Sequence, residues 1–185
     1  MKNLPKNLKP AILYKNEIDS NFASKFYTMD MMMFTGCMDN WSPEIVECPS
    51  MENYQLAIVD NDEQLVGYIG FKVDYYASCA YNFGLFSFDR GNLLIGFALN
   101  NIIKALRDDW HIHRVEWHVV GDNSAKRIYD ILAKKYNGHV CHLHDAIKDR
   151  CGVYHDTYIY ELLFNDEGGN GDEDIYQSTN EGVDN

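Results

Sequence analysis

The sequence lacks long apolar runs, closely paired cysteines and any excess of positive charge. No apolar stretch approaches the ~20 residues that a membrane-spanning helix needs, so we expect no membrane partner. The N-terminal segment carries lysines without an apolar core behind them, which argues against a secretory signal. The five cysteines are an odd number without tight spacing, and reduced thiols in a cytoplasmic protein are the simplest expectation.

The charge is strongly acidic and unevenly placed. The formal net charge is −12, and residues 165–185 hold seven acidic side chains without Lys or Arg, which leaves −5 for residues 1–164. We expect residues 1–164 to form one domain and residues 165–185 to be an acidic disordered tail. An acidic surface disfavours nucleic acid as a partner and is compatible with a cationic amine.

Apolar side chains are plentiful enough for one packed domain, because 46% of the residues are hydrophobic and 14% are aromatic. Their periodicity predicts an α/β fold with a mixed sheet. The predicted strands are 11–14, 54–59, 64–75, 79–88, 113–120, 138–146 and 152–163. The predicted helices are 17–28, 93–108 and one that starts at Asn123. Residues 29–38 are rich in Met and irregular, and residues 40–53 are predicted to be a loop.

Residues 79–120 predict a β-α-β unit. Its connections are short, so the two strands should be parallel and joined by a right-handed crossover. A second, capped helix should follow, because Asp122 or Asn123 can accept the first free helical N–H groups. Apolar side chains recur at helical spacing over residues 125–136, and Gly138 suits the left-handed position after the helix.

Two sequence stretches connect this pattern to a known family. The stretches N-S-A-K-R-I-Y (123–129) and G-V-Y-H-D-T-Y-I-Y-E-L (152–162) resemble the GNAT superfamily of acyl-CoA N-acyltransferases. The element order is similar to the GNAT fold from about residue 11 to 163. The resemblance implies two parallel strands that splay apart to admit the acyl donor, with acetyl-CoA as the expected cosubstrate.

The turn F-D-R-G-N-L-L-I-G (88–96) is the candidate pyrophosphate site. The first amides of a helix have no internal partner and add positive potential, so a strand-to-helix turn attracts phosphate. Asn92 can cap the helix, and Gly91 permits an unusual backbone angle.

The resemblance assigns Arg90 to the first position of the family signature, which is Arg or Gln, two residues, Gly, one residue, then Gly or Ala. Leu93 and Ile95 stand where the two small residues are expected, and Gly96 comes one residue late. The predicted cofactor-binding residues are Phe86, Ser87, Phe88, Arg90, Gly91, Asn92, Leu93, Leu94, Gly96 and Asn123.

Acyl transfer to an amine needs a neutral amine, a donor for the oxyanion and a proton for the departing thiolate. The resemblance places Tyr129 near the thioester sulfur as the general acid, although a core aromatic would look the same. It places Asn123 against the pantetheine arm, although Asn123 also suits a plain cap. A backbone N–H in residues 86–88 would polarise the carbonyl. Glu116 is the candidate base, with a surface glutamate and water-relayed deprotonation as alternatives.

The histidines allow a metal hypothesis, because two pairs have the i, i+2 spacing that puts side chains on one strand face. The candidate ligands are His111, His113, Cys141, His142, His144 and His155. No C-x-x-C or H-E-x-x-H pattern accompanies them, so we predict no metal.

The leading functional hypothesis is transfer of an acetyl group from acetyl-CoA to a primary amine of a small molecule or peptide. Met31, Met32, Phe34 and Trp41 either pack in the core or line the acceptor pocket, as the resemblance implies. The alternatives are a catalytically inactive GNAT-fold module that binds CoA or a protein partner, and a metal-dependent hydrolase. Open strand edges leave a homodimer as an option.

Overall fold

The computed structural model describes residues 5–26, 43–47, 52–89 and 91–164. The strands are β1 (Leu8–Pro10), β2 (Asn53–Val59), β3 (Leu65–Asp74), β4 (Cys79–Ser87), β5 (Arg114–Val120), β6 (His139–Lys148) and β7 (Tyr154–Leu163). The helices are a 3₁₀ helix (Ala11–Tyr14), α1 (Lys15–Lys25), α2 (Leu94–Asp108) and α3 (Lys126–Lys135). The predictions for Arg90, Met31, Met32, Phe34, Trp41 and the acidic tail lie outside the described residues.

The strands form one mixed sheet in the order β1-β2-β3-β4-β5-β7-β6. β4 and β5 run parallel, and the other neighbouring pairs in the described segments are antiparallel. Because α2 joins the parallel strands, the β-α-β unit predicted from residues 79–120 is confirmed. The predicted α/β class with a mixed sheet is confirmed as well.

Helices cover both faces of the sheet and create two cores. On one face, α2 buries an apolar stripe at helical spacing and α3 packs beside it. On the other face, Ile18 and Phe22 of α1 are fully buried against Tyr68 and Phe86. No helix in the described segments is both long and apolar enough to cross a bilayer.

The N-terminal element differs from the prediction. Residues 11–14 form the 3₁₀ helix, and β1 precedes it. A short apolar run does not by itself distinguish a strand from a helix. Here the chain turns away from the sheet after Pro10, so Ala11 is buried while Leu13 is 68% exposed. The helix expected from Asn123 begins at Lys126, because residues 121–125 form turns.

Candidate functional site

The parallel strands β4 and β5 separate after their first residues and leave an opening in the sheet. Along these described strands they pair at Cys79 with Arg114 and at Ala80 with Val115, and nowhere further. Each strand stays paired along its other edge, β4 with β3 and β5 with β7. The opening is therefore bounded by backbone edges, and it widens toward the starts of α2 and α3.

The last residues of β4 direct one amide toward this opening. The Phe88 N–H donates to the carbonyl oxygen of Val66 at 2.9 Å, and Phe86 lies opposite Tyr68 in the same register. Hydrogen-bonding groups alternate between the two edges of an antiparallel strand, so the intervening Ser87 amide points to the β5 side. The Phe86 and Phe88 amides face β3. Among residues 86–88, the Ser87 N–H is therefore the one left as the predicted oxyanion donor.

The turn between β4 and α2 is held by Asn92. Its Oδ1 accepts the Leu94 N–H at 3.0 Å, and its Nδ2 donates to Oδ2 of Asp89 at 3.2 Å. These two bonds tie both sides of the turn to one side chain. Asn92 thus caps the start of α2, as the sequence predicted.

The N-terminal end of α2 is packed on its sheet side and open at its glycines. Gly91 has a φ of 77°, and a Cβ at Gly91 or Gly96 would meet nothing within 4 Å in the described part of the chain. Leu93 is 74% exposed. A Cβ at Gly67 of β3, by contrast, would lie 2.4 Å from Cδ1 of Ile95. The helix start is therefore fixed against β3 while its glycines leave room for a ligand.

Lys25 brings a positive charge to the same turn. Its Nζ donates to the carbonyl oxygen of Phe88 at 2.5 Å and lies 5.9 Å from the centre of the Phe88 ring. No sequence pattern points to Lys25, because its contact with Phe88 joins residues 63 positions apart.

The start of α3 carries the other two predicted site residues. Asn123 Oδ1 accepts the Ala125 N–H at 2.8 Å, so Asn123 holds the turn that precedes α3. It is not the cap that the sequence predicted, because α3 begins at Lys126, after this turn. Tyr129 is 9% exposed and packs on Trp117 and Tyr160, with ring centroids 5.5 and 5.8 Å away. Burial raises the pKa of the Tyr129 hydroxyl. Within the described residues no hydrogen bond holds this hydroxyl, so it can act on a ligand without breaking one.

Glu116 lies on the opposite face of the sheet from Tyr129. Its neighbour Trp117 packs on Tyr129, and successive side chains of a strand point to opposite faces. Glu116 Oε2 is 3.0 Å from Nη2 of Arg114, whose Nη1 is 3.4 Å from Oε1 of Glu161. The structure therefore places Glu116 in a half-exposed ion-pair group and does not bring it together with Tyr129. Its role as base stays a prediction.

His155 lies between two carboxylates beside the start of α3. Its Nδ1 is 2.7 Å from Oδ2 of Asp122, and its Nε2 is 3.3 Å from Oδ2 of Asp149. The hydrogen bonds to Asp122 and then Asp149 raise the pKa of His155. The sequence suggests His155 only as a metal ligand. Its pairing with Asp122 leaves no local pattern, because the two residues are 33 positions apart.

Comparison with known proteins finds relatives by structure only, since no family model and no curated protein matches the sequence. A spermidine N-acetyltransferase chimera from Vibrio cholerae and hSSAT matches with a TM-score of 0.52 and 17% identity, over 62% of this chain and 69% of that chain. The dodecameric spermidine N-acetyltransferase from Vibrio cholerae, in an intermediate state, matches with a TM-score of 0.52 and 17% identity, over 62% and 66%. The chain has the GNAT fold. The expectation drawn from residues 123–129 and 152–162 is confirmed at this level, with β4 and β5 as the splayed pair of the GNAT fold.

Proposed function

We propose that this GNAT-fold chain transfers an acetyl group from acetyl-CoA to a primary amine of a small molecule or peptide. The observation that carries the proposal is the opening between β4 and β5, which lies between the starts of α2 and α3. The structural neighbours that share the fold are acetyltransferases. We also propose a cytoplasmic location, which the free thiols of Cys79, Cys141 and Cys151 support.

The start of α2 fits the phosphates of an acyl-CoA. The positive end of its helix dipole favours an anion, and Gly91 and Gly96 leave space for close approach. Lys25 adds a positive charge beside Phe88. When bound, acetyl-CoA supplies the activated acyl group as a thioester. The residues of the α2 turn would hold its phosphates, and Asn123 would hold the pantetheine arm.

Two groups suit the chemistry of acyl transfer. The Ser87 amide can donate to the oxyanion that develops during attack by the amine. The Tyr129 hydroxyl carries a proton at neutral pH and can give it to the departing thiolate, but burial raises its pKa and so makes it a weaker acid. Because Glu116 is ion-paired on the other face, we favour water-relayed deprotonation of the amine.

A cationic acceptor and a homo-oligomer complete the proposal. The net charge of −12 attracts cations over long range. Spermidine is the substrate in the names of the structural neighbours, so polyamines are the first acceptors to test. One neighbour is dodecameric, and β6 offers this chain an exposed sheet edge for self-association.

The test combines binding and turnover of the purified full chain. Acetyl-CoA should give measurable heat on titration and raise the melting temperature, and thiol release should require an amine from a panel that includes polyamines. Neither heat nor thermal stabilisation with acetyl-CoA would contradict the proposal.

A second candidate function is a binding module without catalysis. Leu93 and Ile95 replace the small residues of the phosphate signature, and Leu93 is 74% exposed at the helix start. Binding of CoA without thiol release for any amine in the panel would favour this alternative.

A further inference from the structure

The outer hairpin of the sheet carries a cluster of two histidines and one aspartate. His142 and His144 share one face of β6, and Asp156 lies on the neighbouring strand β7. The Nε2 atom of His142 is 2.6 Å from Oδ2 of Asp156, and Nδ1 of His144 is 3.7 Å from the same oxygen. One ligand atom from each of the three residues lies within 4.8 Å of the other two.

We propose that His142, His144 and Asp156 bind Zn²⁺ or a similar divalent transition metal. Two imidazole nitrogens and a carboxylate oxygen form a ligand set that zinc accepts, with the fourth position left to water. Metal–ligand bonds of about 2.0–2.2 Å put neighbouring ligand atoms of a tetrahedral site about 3.3–3.6 Å apart. The two measured separations lie on either side of this value, so small side-chain rotations would complete the geometry.

Contacts around the cluster already orient its members. The Asp145 N–H donates to Oδ1 of Asp156 at 3.0 Å, which leaves Oδ2 directed at the imidazoles. The His142 ring stacks on Tyr158, with centroids 4.4 Å apart and planes 10° apart. Such outer contacts fix ligand orientation in metal sites.

The local backbone brings the three residues together in a way that the sequence does not show. The pairing of β6 and β7 shifts between Leu143 and Ile147, and Asp145 within that shift has a φ of 50°. This irregularity lets the Asp145 amide reach Asp156. The sequence-based prediction of no metal rested on absent motifs, whereas a ligand set split across a hairpin leaves no motif.

The experiment is a zinc titration of the full chain, purified without an affinity tag and freed of metal by a chelator. Calorimetry should show one Zn²⁺ per chain. The His144→Ala and Asp156→Asn variants should each weaken binding by at least about tenfold, since even outer contacts of a metal site change affinity by about 10–100-fold. His144 has a side-chain exposure of 76%, so His144→Ala should keep the fold intact.

Two matched controls make the test decisive. His139→Ala removes another exposed histidine of β6, and Cys141→Ser removes the thiol next to His142 on the opposite face of the strand. Both should leave the affinity unchanged. Unchanged affinity in His144→Ala, or a loss as large in either control, would overturn the proposal. Because the readout is metal binding in the absence of acyl donor, the outcome does not depend on acyltransferase activity.

Discussion

Helices α2 and α3 begin on the two sides of the opening between β4 and β5, and both starts use an asparagine in the same way. Asn92 and Asn123 each accept the N–H of the residue two positions later, at 3.0 and 2.8 Å. Around α2, Gly91 and Gly96 flank Asn92 and have open space beside them, and Lys25 bonds the preceding Phe88. Around α3, Asn123 is followed by the buried Tyr129.

The difference shows that the same side-chain bond can stand beside two helix starts with different surroundings. Asn92 satisfies the N–H of Leu94, the first residue of α2, whereas Asn123 holds the turn before α3. The open surroundings of the α2 start suit an anion, because the positive end of a helix dipole attracts negative charge. The start of α3 is instead packed into the core through Tyr129.

The largest expected effect comes from Tyr129→Phe. If the hydroxyl is the general acid, thiol release should fall by about 10²–10⁴-fold while affinity for CoA is retained. The control is Tyr160→Phe, which changes the same aromatic group and removes the 2.6 Å bond from Tyr160 to Asp130. That control should lower the free energy of unfolding by roughly 1–3 kcal/mol and keep activity. Equal activity in Tyr129→Phe and the native protein would remove Tyr129 from the mechanism.

Two glycine variants test whether the start of α2 is fixed against β3 and open at its own glycines. In Gly67→Ala the new Cβ would lie 2.4 Å from Cδ1 of Ile95 and 2.6 Å from the Phe86 carbonyl oxygen. We expect a loss of about 1–3 kcal/mol in urea unfolding and weaker CoA binding, because the helix start must move. Gly96→Ala should instead gain about 0.5–1 kcal/mol. A native-like Gly67→Ala protein would show that this contact does not position the helix.

Acyl donors of different length distinguish Asn92 from Asn123. Asn92→Ala should lower the free energy of unfolding by about 1 kcal/mol, from loss of a cap. Asn123→Ala should lower it by about 1 kcal/mol, from loss of the hydrogen bond with the Ala125 N–H. Asn92→Ala should weaken binding of acetyl-CoA and not of acetyl-pantetheine, which lacks the nucleotide. Asn123→Ala should weaken both. If both variants lost the same affinity for acetyl-CoA as for acetyl-pantetheine, the two asparagines would not bind different parts of the donor.

The smallest effect concerns pH and His155. The carboxylates of Asp122 and Asp149 raise its pKa in the folded protein, so the folded state binds this proton more tightly than the unfolded state. The resulting stability is fully present below about pH 6.5 and is lost as the pH rises through the higher folded pKa. The difference in unfolding free energy between the native protein and His155→Gln should therefore shrink from pH 6 to pH 8.5. A difference that grows with pH would contradict this, and His139→Gln serves as the control.

Local patterns predicted most of the fold. Alternating apolar residues identified β2 to β5 within about one residue, and short connections predicted that β4 and β5 are parallel. The cap at Asn92 was also predictable, because a cap depends on its next few residues. The cap expected at Asn123 was wrong, since its side chain bonds Ala125 in the turn before α3. The strand predicted at residues 11–14 was wrong, because periodicity cannot classify so short an apolar segment and these residues form the 3₁₀ helix.

The site was only partly predictable because its electrostatics join distant residues. Lys25 reaches Phe88, and His155 reaches Asp122, through contacts that no sequence spacing reveals. The ion pair of Glu116 with Arg114 is local by contrast, since strand alternation places residues two positions apart on one face. The role of Arg90 stays a prediction, as it lies outside the described residues.

The early separation of β4 from β5 has a consequence for amide hydrogen exchange. The Phe88 N–H is bonded to Val66, whereas the Ser87 N–H points to the side from which β5 has diverged. The Phe88 amide should therefore exchange slowly and the neighbouring Ser87 amide quickly, although both belong to the same strand end. A ligand in the opening would slow the fast amide alone, so β4 itself would report whether the opening is filled.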